Sequence, residues 1–197
     1  MKTFLAVSLL CLPCLLNAQK EDLAALRSRC LSQAPESTLR AIVQVESGGN
    51  PYALQIDFPH TLLKRWNLPS GTLRLQRTPR NYTEAIQWLA YLQRFHVSVD
   101  LGLMQVSTAE ARSRGISPES LLEPCTNLRV GWRILEDAYT TEVKTYGPGQ
   151  TALDHAISRY NTGDSQAGID NGYLARVLAT AQSIANHTSY AISKGFQ

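Results

Sequence analysis

The sequence predicts a mainly α-helical domain with a minor β-hairpin element, and three observations carry that expectation. Apolar residues recur at spacings of three and four in one segment after another. Most of those segments are bounded by recognisable capping residues, and only one stretch alternates with the two-residue period of a strand. No internal repeat, low-complexity tract or linker interrupts them.

The chain begins with Lys2, the apolar run Phe4 to Leu16 and the small residue Ala18 before Gln19, the pattern of a secretory signal peptide over residues 1–18. A membrane anchor is the competing reading, but a dozen or so apolar residues broken by Pro13 fall short of the roughly 20 that span a bilayer. No other stretch is apolar enough to cross one. Removing eighteen of 197 residues leaves 179, which suits one well-cored domain, 19–197, with a loose tail after His187. The net charge of +3 falls to +2 with the loss of Lys2, too weak to argue for nucleic acid. Cys11 and Cys14 leave with the leader. In an oxidising compartment Cys30 and Cys125 are then most simply a disulfide pair, with two buried free thiols as the alternative. Closing a loop of that length is worth roughly 4 to 5 kcal/mol on the chain-entropy account.

Leu23, Leu26 and Cys30 share one stripe of a first helix. Pro35 opens a second, which Gly48 and Gly49 close. Residues 51–81 hold four prolines and Gly71 and read as irregular, with a short helical piece at 61–66. Between Lys64 and Arg80 five basic residues stand without an acid, either a solvated loop or a patch for an acidic polymer or anionic membrane surface. A helix from about Thr83 to Phe95 follows, with Ile86, Leu89, Ala90 and Leu92 or Gln93 as its stripe. Val97, Val99, Leu101 and Leu103 then alternate as a strand or hairpin arm in which Gly102 permits a close backbone approach. Ser107 and Glu110 form a capping box for a short helix ended by Gly115, and Ser117-Pro118 starts another short piece. A long helix after Cys125 stops at Gly147-Pro148. Two more follow, with stripes Leu153, Ala156, Ile157, Tyr160 and Leu174, Val177, Leu178, Ala181.

Chemistry enters where polar side chains interrupt those stripes. Glu46 follows Leu39, Ile42 and Val43 on the buried face and lies in a last helical turn, where the helix dipole also disfavours a carboxylate. An acid facing a dehydrated pocket has its pKa raised and can serve as a general acid near neutral pH; the alternative is a glutamate tied up in structural hydrogen bonds. Gln105 after "GLM" and Tyr160-Asn161 at the end of "ISRYN" are the other two interruptions. The four histidines are scattered without metal-ligand spacing, and "ESGG" lacks the glycine-serine elbow of a serine hydrolase. Neither a metal nor a cofactor is implied.

The ordered segments "VESGGNPYA", "GLMQVS" and "YNTGDSQAGIDNGYLARV" resemble the three motifs of the soluble lytic transglycosylase (SLT) domain, related to goose-type lysozymes. With "EPCTNLRVG" before the long helix, the chain is most similar to the small transglycosylases of type IV secretion and conjugation systems. The resemblance implies a lysozyme-like helical domain in the periplasm, with peptidoglycan glycan strands as substrate and secretion-apparatus subunits as partners. It implies that Glu46 is the single catalytic acid, that Ser47 orients Glu46 or the substrate, and that Gln105 and Asn161 hold sugar amides and hydroxyls. Tyr160 would hydrogen-bond Glu46, while Met104 and Tyr173 would line the cleft; plain core packing is the other reading of those two. The product would be a 1,6-anhydro sugar. Asp100 and Asp164, next to the motifs, are candidate activators of water that would make the enzyme a hydrolytic muramidase. A non-catalytic peptidoglycan-binding assembly factor is the third reading. The 59 residues from Glu46 to Gln105 exceed the minimal domain, with the basic segment 52–81 filling the gap.

Overall fold

The computed structural model describes residues 22–58, Lys64 and residues 74–194. The expected leader at 1–18 and, Lys64 apart, the helical piece at 61–66 lie outside the described residues. In chain order the elements are α1 (Leu23–Cys30), α2 (Glu36–Ser47), β1 (Leu54–Asp57), β2 (Arg74–Arg77), α3 (Tyr82–Gln93), β3 (Asp100–Leu101), β4 (Val106–Ser107) and α4 (Thr108–Ser113). A 3-10 turn (Pro118–Leu122) then leads into α5 (Pro124–Tyr146), α6 (Gln150–Thr162), α7 (Ala167–Asp170) and α8 (Tyr173–Lys194). This is the helical architecture with a minor antiparallel sheet that the sequence predicts.

The caps do what their residue types allow. Gly48 takes φ +61°, the left-handed geometry that stops α2, and returns its N–H to the Gln44 carbonyl. Glu123 accepts from the Cys125 and Thr126 amides and so starts α5, with Pro124 at the first position. Ser107 accepts from the Glu110 amide, as a capping box requires. The helix α8 runs to Lys194, past the expected end at His187, because no glycine or proline interrupts the chain between Gly172 and Gly195. Two expected stripes are shifted: Ala85, Leu89 and Leu92 are the buried row of α3 while Ala90 is exposed, and Leu178 of α8 faces outward.

One hydrophobic cluster joins α2, the inner face of the sheet, α5 and α6, with α5 packed along α6 and α2 along α8. The sheet corrects the reading of residues 51–81 as irregular. Its order is β2-β1-β3-β4, antiparallel throughout, and β1 with β2 forms a hairpin. Leu54 and Ile56 alternate with Gln55, and Leu75 with Gln76, but strands of four residues are too short to outweigh the surrounding prolines as a sequence signal. The basic stretch is in part engaged: the Arg77 guanidinium stacks 4.9 Å above the Trp88 ring of α3.

Cys30 at the end of α1 is disulfide-bonded to Cys125 in the first turn of α5, with their α-carbons 5.3 Å apart. The bridge ties together two helices that already pack on each other. A Cys30→Ala/Cys125→Ala double variant is expected to lose about 3 kcal/mol, the middle of the range for native bridges. Urea unfolding of the oxidised protein, the reduced protein and the double variant measures it, and equal midpoints would refute it.

Candidate active site

Glu46 sits in the last turn of α2, half-buried at the end of the stripe Leu39, Ile42, Val43, all three of which are fully buried. The α2–α8 packing brings Tyr173, first residue of α8, against it, and the phenol donates a hydrogen bond to Glu46 Oε1. Tyr173 is only 2% exposed. Its own backbone N–H donates to Asn171 Oδ1 at 2.8 Å, which fixes the entry into the helix. Burial first, then the Glu46 charge and the hydrogen bond to it, push the Tyr173 hydroxyl far above the usual phenol range. It therefore stays a neutral donor at every working pH.

The β3–β4 turn supplies the second part. Gly102 takes φ +77°, and a side chain there would collide with the Asn127 carboxamide. Gln105 takes φ +46°, rare for a residue with a Cβ, and its Nε2 donates to the Gly102 carbonyl at 2.8 Å and to the Ala53 carbonyl at 3.2 Å. The expected sugar-binding amide thus spends its donor group holding its own loop, and what it can offer a ligand is the acceptor Oε1.

Asn127 of α5, fully buried, locks this turn from below. Its Oδ1 accepts from the Met104 amide at 2.8 Å, and its Nδ2 donates to the Leu101 and Leu121 carbonyls at 2.7 and 2.9 Å. Met104 is fully buried too; it does not line the cleft, and its role is core packing. The backbone of α5 approaches closely because Gly131 has no Cβ: one placed there would lie 2.7 Å from Met104 Cβ and 3.1 Å from the Tyr160 hydroxyl. Ser47 Oγ lies 2.8 Å from the Leu103 carbonyl and accepts from the Gly49 amide, so it joins the end of α2 to the same turn.

Tyr160 and Asn161 close the site from the end of α6. The Tyr160 hydroxyl donates to the Met104 carbonyl at 2.6 Å. The phenol that donates to Glu46 is that of Tyr173, so the structure exchanges the two tyrosine roles that the sequence suggested. Burial, then the charges of Glu46 and Asp100, hold the Tyr160 hydroxyl well above its ordinary pKa. Asn161 is exposed, with Oδ1 3.4 Å from Asn171 Nδ2.

Glu46, Gln105, Tyr160 and Asn161 line one open groove of about 360 Å³, together with Gln55, Asp100 and Arg159. Arg159 is held at its rim by the buried Glu142 and by the Gly163 carbonyl. The two candidate activators of water part company here. Asp164 caps α7 by accepting from the Gln166 and Ala167 amides, which lower its pKa, and it does not line the groove; Asp100 does. The sequence reading missed Asn127, Gly131 and Asn171 as supports of the site, although "PCTNL" and "DNGY" carry two of them. Among the described residues no group of three or more His, Cys, Asp or Glu is placed to hold a metal ion, and no helix is long and apolar enough to cross a membrane.

The chain is similar to known proteins over most of its length. It is 34% identical over 155 residues to Protein virB1 of Agrobacterium fabrum, an alignment covering 79% of this chain and 57% of the relative. To the type IV secretion system protein virB1 of Brucella abortus it is 33% identical over 162 residues, 79% of this chain and 62% of that one. The chain thus spans under two thirds of the length of the curated relatives it matches. No solved structure matches it. The transglycosylase SLT domain family matches residues 27–174, a span that holds Glu46, Gln105, Tyr160, Asn161 and Tyr173. The chain therefore belongs to the transglycosylase SLT domain family.

Proposed function

We propose that this protein is a lytic transglycosylase that cuts the bond between N-acetylmuramic acid and N-acetylglucosamine in peptidoglycan. The observation that carries this reading is the placement of Glu46 in an open polar groove while a neutral phenol holds one of its carboxyl oxygens. A glycosidic oxygen leaves readily only if it is protonated as its bond to C1 breaks. Glu46 supplies that proton. The positive charge developing at C1 is shielded by the substrate's own acetamido oxygen. The Glu46 carboxylate then takes the proton of the muramyl 6-hydroxyl as that oxygen closes on C1. The 1,6-anhydro ring forms, no water is consumed, and Glu46 ends as it began, protonated. Asn161 and Gln105 Oε1 are the groups that meet the sugar's hydroxyls and amides. The family membership, the likeness to type IV secretion relatives and the leader-like residues 1–18 support a periplasmic setting, with local opening of the wall for a secretion or conjugation apparatus.

A second reading rests on Asp100, which lines the same groove and acts electrostatically on the same tyrosine as Glu46. There Asp100 activates a water and the enzyme is a hydrolytic muramidase. Mass spectrometry of digested murein separates the two: anhydro-muramyl ends are lighter by one water, and reducing ends throughout would remove the first reading.

Tyr173→Phe gives a further test, with a defined sign. A donor to the carboxylate favours its charged form, so losing it raises the Glu46 pKa. A general acid works while protonated, so the alkaline limb of the pH–rate profile should move to higher pH. The maximal rate should fall between about tenfold and a hundredfold, the worth of one hydrogen bond to a charged group. A limb that moves down or stays in place contradicts the assignment.

A further inference from the structure

The strand register aligns four polar residues in one row across the sheet: Gln76 faces Gln55, Gln55 faces Asp100, and Asp100 faces Ser107. Residues directly opposite one another on neighbouring strands point to the same face. The adjacent row, Arg77, Leu54, Leu101 and Val106, points to the other face, where Leu54, Leu101 and Val106 are buried. The polar row is therefore the outer surface of the sheet, and three of its members, Gln55, Asp100 and Ser107, already line the Glu46 groove. Gln76 is exposed and continues the row one strand beyond the groove.

Neither the Gln55 nor the Gln76 carboxamide has a hydrogen-bond partner among the described residues. That distinguishes them from Gln105, whose Nε2 is spent on the backbone. A carboxamide carries two donors and an acceptor, the complement of an acetamido group or a pair of sugar hydroxyls. Four strands spaced at about 4.8 Å make the row roughly 14 Å long, which exceeds one sugar ring. We infer that the β1–β2 hairpin is a glycan-binding extension of the groove, in which Gln55 and Gln76 hold an N-acetylated sugar further along the strand than the bond facing Glu46. The hairpin then makes the site prefer long glycan strands. This inference rests on the glycan-cleaving reading of the Glu46 groove.

The test compares a muropeptide-derived tetrasaccharide with an octasaccharide, using wild type, Gln76→Thr and Gln55→Thr. Threonine keeps the strand propensity, so loss of the hairpin is not the variable. The ratio of kcat/KM on the long glycan to that on the short one should fall about threefold to tenfold in Gln76→Thr, the worth of one neutral hydrogen bond, and the fall should lie in KM. An unchanged ratio in a protein that cuts both glycans overturns the subsite and leaves the catalytic reading standing. Binding of both glycans by calorimetry in a Glu46→Gln background provides the converse arm. If wild type cuts neither glycan but the long one binds with a Gln76-dependent advantage, the catalytic reading fails and the subsite stands.

Discussion

Glu46→Gln is expected to lower glycan cleavage by about a hundredfold to ten-thousandfold, the range measured for losing a general acid. The substitution keeps the side-chain length and leaves an oxygen able to accept from the Tyr173 phenol, so α2 and α8 stay docked. Circular dichroism and the unfolding midpoint should match wild type while clearing on a murein zymogram disappears. The effect is large because this mechanism uses one side chain twice, first as acid and then as base; a glutamine can do neither. Undiminished wall solubilisation by a folded Glu46→Gln protein would hand the protein to the remaining reading, an assembly factor that binds peptidoglycan without cutting it.

Asn127→Leu should be the most destabilising single change in the region of the site. Asn127 is fully buried, and its carboxamide serves the Met104 amide and the Leu101 and Leu121 carbonyls. Leucine has a similar volume but leaves all three backbone groups without a partner. At about 1 to 3 kcal/mol for each buried group left unpaired, the loss is about 4 to 6 kcal/mol once relaxation offsets part of it. The same turn carries Gln105 and the carbonyl that accepts from Tyr160, so cleavage should fall along with stability. Chemical unfolding and zymography of the variant check both parts, and a stability within 1 kcal/mol or so of wild type would show that the three contacts matter little.

The longer helices were legible because each is long relative to its caps, while the four-residue α7 carried no periodic signal and was missed. Pro35 with Gly48, Ser107 with Glu110, and Gly147 after the long helix mark ends that apolar spacing alone would leave loose. The β1–β2 hairpin was not, since four-residue strands with a polar outer face carry little periodic signal and the prolines around them speak louder. Glu46 stood out as an acid on an apolar stripe. Which phenol reaches it could not be read, because Tyr160 and Tyr173 both lie at helix ends inside the same motif, and the choice depends on how α8 docks on α2. Met104 was left between two readings for a related reason: a flexible apolar side chain beside a polar residue suits a cleft wall and a core equally, and the glycine that lets α5 close on it, Gly131, lies on another helix.

The contact between Glu46 and Tyr173 spans 127 residues of chain. An acid near the start of the folded region thus receives its orienting donor only when the last helix arrives. A chain clipped before α8 keeps α2 and Glu46 but loses the phenol that holds the carboxyl oxygen. Acid and donor therefore meet only through the packing of α8 on α2, so the docking of these two helices sets the geometry at the Glu46 carboxyl.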